Sequence, residues 1–268
     1  MARRRRLDAE LVEQGLFSSR DEAMRAVLAG DVSTSDRRME FPGEQVRPGI
    51  ELHVRGRIPY VGRGGLKLER ALDAFGVDPR GMACLDVGCS TGGFTDCLLK
   101  RGAASVLAVD VGYAQFDWGL RTDPRVTLRE RTNMVDLPDD ENRHGIDLAV
   151  CDVSFTSVRT VLPAVVEMLR EEDSAFLTLV KPQFEAERDE VGDGGIVSDP
   201  TVHLRALSDV AQAFCEEGLR PVAACPSPIR GHKGNREFLL LGRTATGHLT
   251  CGLDLEAVVS DGAVARVG

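Results

Sequence analysis

The chain of 268 residues contains no apolar run approaching the ~18 residues that a membrane-spanning helix requires. No secretory leader is expected either. Arg3, Arg4, Arg5 and Arg6 are followed by Leu7-Asp8-Ala9-Glu10 instead of an apolar core. The expectation is a cytoplasmic protein with no membrane partner. No two of its seven cysteines form a Cys-x-x-Cys pair, so neither a disulfide framework nor a zinc site is expected, and no metal ligand is assigned. Cys84, Cys89 and Cys151 fall in strand-like stretches and read as small buried hydrophobes. Positive charge is scarce as well, with a net charge of −9. It is unevenly spread: residues 1–60 sum to +1 and the remainder to −10. A field of that sign repels nucleic acid, so an RNA ligand needs local basic patches, of which Arg3–Arg6 is the obvious one.

What the chain does have is a 43% hydrophobic composition, enough for a real core. Its length fits a small module followed by one catalytic domain. The module occupies residues 1–57. Leu7, Leu11 and Val12 have helical spacing, and Gly15-Leu16-Phe17 ends that helix. Ser19 with Glu22 three residues on is a capping-box pattern that starts a second helix, and Gly30 stops it. Strand-like pieces follow around Val32, Val46 and Ile50–Val54, separated by Pro-Gly turns. The run Leu-Asp-x-x-Leu-Val-x-x-Gly-Leu, then Ser-Arg-x-x-Ala, then Gly-Asp-Val resembles the ribosomal S-four-type RNA-binding module. That resemblance implies a basic RNA-facing surface on the two helices, with Arg3, Arg4, Arg5, Arg6, Arg20 and Arg25 as candidates and Arg37 and Arg38 also at hand. Residues 58–64 read as a linker.

Residues 65–245 alternate short apolar runs with helical stretches of ~10–15 residues, the signature of a mostly parallel sheet wrapped by helices. The runs are Cys84–Val87, Val106–Val111, Val126–Leu128, Leu148–Val153 and Phe176–Val180. Val222–Cys225 and Phe238–Leu241 follow as a final antiparallel pair. The tail, 246–268, is weakly patterned and offers at most a short helix.

The first strand of this domain runs into Leu85-Asp86-Val87-Gly88-Cys89-Ser90-Thr91-Gly92-Gly93-Phe94. A Gly-rich turn between strand and helix lets a ligand approach the backbone closely. Its spacing fits the dinucleotide fingerprint poorly, and Asp86 would repel a pyrophosphate. A cationic sulfonium without phosphate tolerates the acid. Asp110, twenty-two residues after Gly88, ends the second strand, where an acid is placed to accept hydrogen bonds from ribose hydroxyls. The combination resembles the S-adenosylmethionine half of a class I methyltransferase, a Rossmann-like α/β fold. The candidate cofactor residues are Asp86, Gly88, Ser90, Thr91, Gly92, Gly93, Phe94, Asp110, Val111, Asn133 and Asp152.

Asp152 and Lys181 close two further strands, Glu237 opens the last one, and Lys67 follows Gly62-Arg63-Gly64-Gly65. This Lys-Asp-Lys-Glu order resembles the catalytic tetrad of FtsJ-like 2′-O-methyltransferases. The chemistry asks for such residues. A ribose hydroxyl must lose its proton as it attacks a methyl group, and a lysine amine accepts it only when neutral. Free lysine titrates at ~10.4, whereas an efficient base near neutrality needs ~7–8. Burial and a second ammonium push a lysine in that direction. Lys181 is therefore the expected base and Lys67 the second charge, with Asp152 and Glu237 orienting the amines. Amine methylation is disfavoured because Asp152-Val153-Ser154-Phe155 has no prolines. Pyrimidine C5 methylation needs a nucleophilic cysteine, and Cys225 lies in the late antiparallel region.

With Ser-Thr-Gly-Gly-Phe, Val-Lys-Pro-Gln-Phe-Glu and Gly-Asn-x-Glu-Phe, the two parts together resemble the TlyA family over residues 3–243. The resemblance implies 2′-O-methylation of cytidines in ribosomal RNA, with ribosomal subunits as partners. It also implies that Arg3–Arg6 matches a basic N-terminal extension. Two other readings stay open at this point: a membrane-active haemolysin, and an RNA-binding assembly factor with an idle methyltransferase fold.

Overall fold

A computed structural model describes residues 4–14, 16–17, 19–34, 37–50, 52–54, 59–139 and 143–267. Arg3, Gly15 and Ile58 lie outside the described residues. The chain divides into two compact units, Met1–Pro59 and Tyr60–Gly268.

In the first unit β1 (Arg5–Arg6) leads into α1 (Leu7–Glu13), and α2 (Arg20–Ala29) follows. The Ser19 hydroxyl accepts the Glu22 amide at 3.3 Å, which satisfies one donor that a helix start leaves open. Gly30 ends α2 in the left-handed conformation. Three short strands complete the unit: β2 (Val32–Ser33), β3 (Gln45–Val46) and β4 (His53–Val54). β1 pairs with β3 and β2 with β4, both antiparallel. Leu7, Leu11, Ala23, Val27, Val32 and Met39 form its own small core.

The second unit opens with α3 (Gly64–Phe75), β5 (Ala83–Val87), α4 (Gly93–Lys100) and β6 (Ser105–Asp110). It continues with α5 (Trp118–Arg121), β7 (Val126–Glu130), β8 (Leu148–Cys151) and α6 (Val158–Met168). Next come β9 (Ala175–Val180), α7 (Pro182–Glu185) and α8 (Pro200–Glu216). The last elements are β10 (Leu219–Pro226), β11 (Phe238–Thr244), α9 (Leu255–Ser260) and β12 (Ala265–Arg266). One sheet runs in the order β12-β10-β11-β9-β8-β5-β6-β7. The five strands from β9 to β7 are parallel. Because β5, β6, β8 and β9 are largely buried on both faces, they read as near-continuous apolar runs, whereas the edge strand β7 is half-exposed. On one face Leu68, Leu72 and Leu98 of α3 and α4 pack on Cys84, Val106 and Leu177. On the other, Leu162, Leu207 and Phe214 of α6 and α8 pack on Leu85, Ala149 and Phe176.

Two stretches differ from the sequence expectation. The antiparallel edge holds a third strand, β12, which pairs with β10; two residues are too few to leave a periodic signal. Residues 246–268 therefore hold a sheet strand in addition to the short helix that the sequence allowed. Tyr60–Arg63 packs on the second unit instead of spanning free. The Tyr60 hydroxyl donates to Glu69 at 2.6 Å, and the Val61 amide donates to Asp96 at 3.0 Å.

The topology fixes where a ligand can sit. The chain fills β5, β6 and β7 outward, then returns to place β8 on the other side of β5. Open α/β sheets bind ligands at the carboxyl ends of the strands where this reversal occurs. Val87, Asp110, Cys151 and Val180 all end their strands at that edge, and antiparallel β11 begins there, with Phe238 opposite Val180.

Candidate active site

Gly88 leaves β5 at φ +79, and a Cβ there would lie 3.0 Å from the Asp152 carbonyl oxygen. Only glycine lets the two strand ends come this close. The Asp110 carboxylate ties the turn to β6, accepting the Ser90 amide at 2.8 Å and the Gly112 amide at 2.6 Å. Beside it lies a cleft of about 370 Å³, lined by Gly88, Ser90, Asp110, Val111, Asn133 and Asp152 among others. It continues into a narrower pocket of about 170 Å³ against Ser90, Thr91, Gly93, Phe94, Asp152 and Lys181.

This cleft suits S-adenosylmethionine. The only charged side chains lining the larger part are Asp110 and Asp152, so a pyrophosphate would find two carboxylates and no cation. A sulfonium cation finds two counter-charges. Two of the expected cofactor residues stand apart from the cleft. Asp86 is fully buried, its Oδ2 accepting the Thr95 hydroxyl at 2.6 Å, and it lines neither part. Complete burial pushes its carboxyl up to about 7, against the opposing pull of Thr95. Gly92 does not line the cleft either; it starts α4 at φ +97.

The four charged residues read from the sequence converge. Lys67 Nζ donates to Glu237 Oε2 at 2.6 Å and lies 3.9 Å from Asp152 Oδ2. Lys181 Nζ lies 2.6 Å from the other oxygen of the same aspartate. Asp152 thus stands between the two lysines, and two ammonium groups are balanced by two carboxylates. Lys67, Lys181 and Glu237 are less than a tenth exposed. Each buried ion costs several kcal/mol of hydration, so such groups persist only where they are paired. Gly231 makes room for the cluster: a Cβ there would lie 1.9 Å from Glu237 Oε1.

On the far side of the cluster a third cavity, of about 460 Å³, is lined by Arg63, Lys67, Phe155, Lys181, Phe184 and Lys233 among others. The whole chain has only four lysines, at 67, 100, 181 and 233. Three of them line this one cavity. In a chain that otherwise uses arginine for positive charge, lysine at these positions keeps a group that can give up its proton, which arginine cannot.

Several lining residues were not singled out from the sequence. Ser154 lines all three cavities and accepts a hydrogen bond from Lys181 Nζ at 2.7 Å. Phe155 is 92% exposed, holds φ +66, and faces Phe184 at 5.4 Å between ring centroids. Their only sequence signal was adjacency to Asp152 and Lys181. Cys225 is fully buried and burial pushes its thiol up to about 11, which disqualifies it as a nucleophile. Cys84, Cys89 and Cys151 are buried as small hydrophobes.

The arginines of the first unit are less free than expected. Arg5 pairs with Glu10 at 2.8 Å, Arg6 with Asp8 at 2.8 Å, and Arg20 with Asp8 at 3.1 Å. Asp8 and Glu10 are buried, and buried acids require counter-charges. Arg25 is exposed, and Arg4 lines a cavity with Arg37 and Arg47.

A mostly parallel sheet with its switch-point cleft and an acid-lined ligand site defines an S-adenosylmethionine-dependent methyltransferase. Residues 60–244 match the family model described as FtsJ-like methyltransferase. The 16S/23S rRNA (cytidine-2′-O)-methyltransferase TlyA of Mycobacterium tuberculosis is 44% identical over 261 residues, 97% of this chain and 97% of the relative. This chain belongs to the TlyA family of FtsJ-like methyltransferases. A Streptococcus thermophilus structure carrying a hemolysin name superposes with a TM-score of 0.71 at 38% identity, covering 98% of this chain and 96% of the other. An S-adenosylmethionine-dependent methyltransferase from Mesorhizobium loti, at 17% identity and TM-score 0.51 over 68% of this chain and 100% of that one, shares the fold.

Proposed function

We propose that this protein transfers a methyl group from S-adenosylmethionine to the 2′-hydroxyl of a cytidine in ribosomal RNA, with Lys181 as general base. The observation that carries the reading is the Glu237–Lys67–Asp152–Lys181 chain of charges, set between the acid-lined cleft and the lysine-lined cavity. Held by the cleft residues, S-adenosylmethionine would supply an electrophilic methyl carbon for the ribose oxygen and a sulfur that would keep the electron pair. The protein's task is the proton. Neutral Lys181 takes it from the hydroxyl, and Asp152 stabilises the ammonium that forms. Lys67 and Glu237 hold Asp152 in place.

Gly88, Ser90, Asp110 and Asn133 hold the nucleoside part of the cofactor. Thr91, Gly93 and Phe94 bound the part nearest Lys181. Arg4 and Arg25 of the first unit meet RNA phosphates, and the substrate is an assembled ribosomal subunit in the cytoplasm. A protein that only held RNA, or that acted on membranes, would have no use for two lysines and two acids, three of them buried, joined in one cluster. Among the described residues no helix is long and apolar enough to cross a membrane.

The test uses ribosomal subunits from a strain lacking the gene, incubated with the protein and tritiated S-adenosylmethionine, then digested to nucleosides. Label in 2′-O-methylcytidine is the expected result. Label in a base-methylated nucleoside, or none in RNA, contradicts the reading.

A further inference from the structure

Lysine acts as a base through one lone pair, and a neutral amine keeps two N–H donors beside it. The surroundings of Lys181 Nζ have matching acceptors. Asp152 Oδ1 lies at 2.6 Å and the Ser154 hydroxyl oxygen at 2.7 Å. The Phe184 ring closes a further side, its centroid 5.9 Å away. Lys181 lines both the pocket beside Phe94 and the cavity of Lys67 and Lys233.

Ser154 is not where it is by default. It belongs to the loop between β8 and α6, and the next residue, Phe155, holds a left-handed backbone at φ +66 that bulky residues avoid. Such a conformation persists only where the surrounding structure enforces it. Glu185 fastens the far end of the same loop. Its buried carboxylate accepts the Ser157 hydroxyl at 2.5 Å and the Val158 amide at 2.7 Å, and Arg159 Nε stands 3.3 Å away. Lys181 and Glu185 share one short stretch, Lys181-Pro182-Gln183-Phe184-Glu185. The segment that presents the amine also fastens the loop that presents its acceptor.

We propose that Ser154 is a positioning residue for the base. Its hydroxyl oxygen engages one N–H of Lys181 while Asp152 engages the other, so that the lone pair faces the cavity where the ribose hydroxyl enters. As the hydroxyl proton moves to Nζ it becomes the third N–H of an ammonium already held by two acceptors. This rests on the reading of Lys181 as base.

The test is single-turnover methylation of unmodified ribosomal subunits by the full-length protein and its Ser154→Ala, Ser154→Thr and Lys181→Ala variants. Ser154→Ala lets the amine rotate among three staggered orientations. The rate should fall by at least about threefold from that loss alone, and up to about thirtyfold if Nζ also shifts. The loss should appear in kcat, with KM for the subunits and cofactor affinity unchanged. Ser154 is exposed, and Ser154→Thr, which keeps the hydroxyl, should restore the rate. A Ser154→Ala variant with normal kcat, a loss confined to KM, or a Ser154→Thr variant as slow as Ser154→Ala overturns the proposal. If Lys181→Ala remains active, the base assignment itself fails. If Lys181→Ala is dead and Ser154→Ala is normal, only the positioning role falls.

Discussion

Lys67 and Glu237 meet at 2.6 Å across 170 positions of sequence, joining α3 to the residue just before β11. Glu237→Ala leaves the buried ammonium with Asp152 alone, at 3.9 Å. Removing one partner of a buried pair costs about 3–5 kcal/mol, whereas apolar replacement of both is often neutral. Urea denaturation should find Glu237→Ala destabilised by that order and the Lys67→Met, Glu237→Leu double variant largely recovered. Both should be unable to methylate RNA. An active double variant would make this pair a structural strut only.

Asp110 accepts two backbone amides of the cofactor turn and lines the cleft. Asp110→Ala removes the turn's tether together with an acceptor for ribose hydroxyls. Affinity for S-adenosylmethionine should drop by about 1.5–3 kcal/mol, as for a lost hydrogen bond to a charged group. Isothermal titration calorimetry on the folded variant decides; unchanged affinity removes Asp110 from the site.

Asp86 gives a pH signature. Its carboxyl titrates at about 7 in the folded protein because it is fully buried, against 3.8 for an ordinary aspartate. The folded state therefore binds the extra proton between those values. The stability this group contributes is fully present below about 3.8 and is lost as pH rises through about 7. Asp86→Asn keeps a partner for Thr95 and abolishes the titration. Its stability relative to the parent should rise with pH between about 5 and 7, by at most ~1.4 kcal/mol per unit, and then level off. A difference that stays flat from pH 5 to 8 would show that Asp86 does not titrate there.

Each unit has its own core, so removing residues 1–59 should leave cofactor binding nearly intact. Methylation of ribosomal subunits should be lost, because the RNA grip is assigned to that unit. Normal methylation by residues 60–268 would relocate the grip.

The strands of the parallel sheet were legible because burial on both faces leaves uninterrupted runs such as Leu148–Cys151. Lys67, Asp152, Lys181 and Glu237 were legible because chemistry restricts residue type and topology restricts them to strand ends and one helix start. Ser154 was not. An exposed serine in a loop has no periodicity, and its importance lies in a contact with a residue 27 positions away. The role of Asp8 and Glu10 was hidden for a related reason. Sequence counts their charge with the surface, while the fold buries them and pairs Arg5, Arg6 and Arg20 with them. Asp86 looked like a ligand residue because of its position in the turn, but strand alternation points it into the protein.

The account stands most directly on Lys181→Ala, assayed by rapid-quench single-turnover methylation with ribosomal subunits and S-adenosylmethionine both saturating. Proton transfer by a positioned group contributes roughly 10²–10⁴-fold. The variant should bind both ligands like the parent and transfer methyl at least about a hundredfold more slowly. Transfer at a near-normal rate would contradict the assignment of Lys181 as the base.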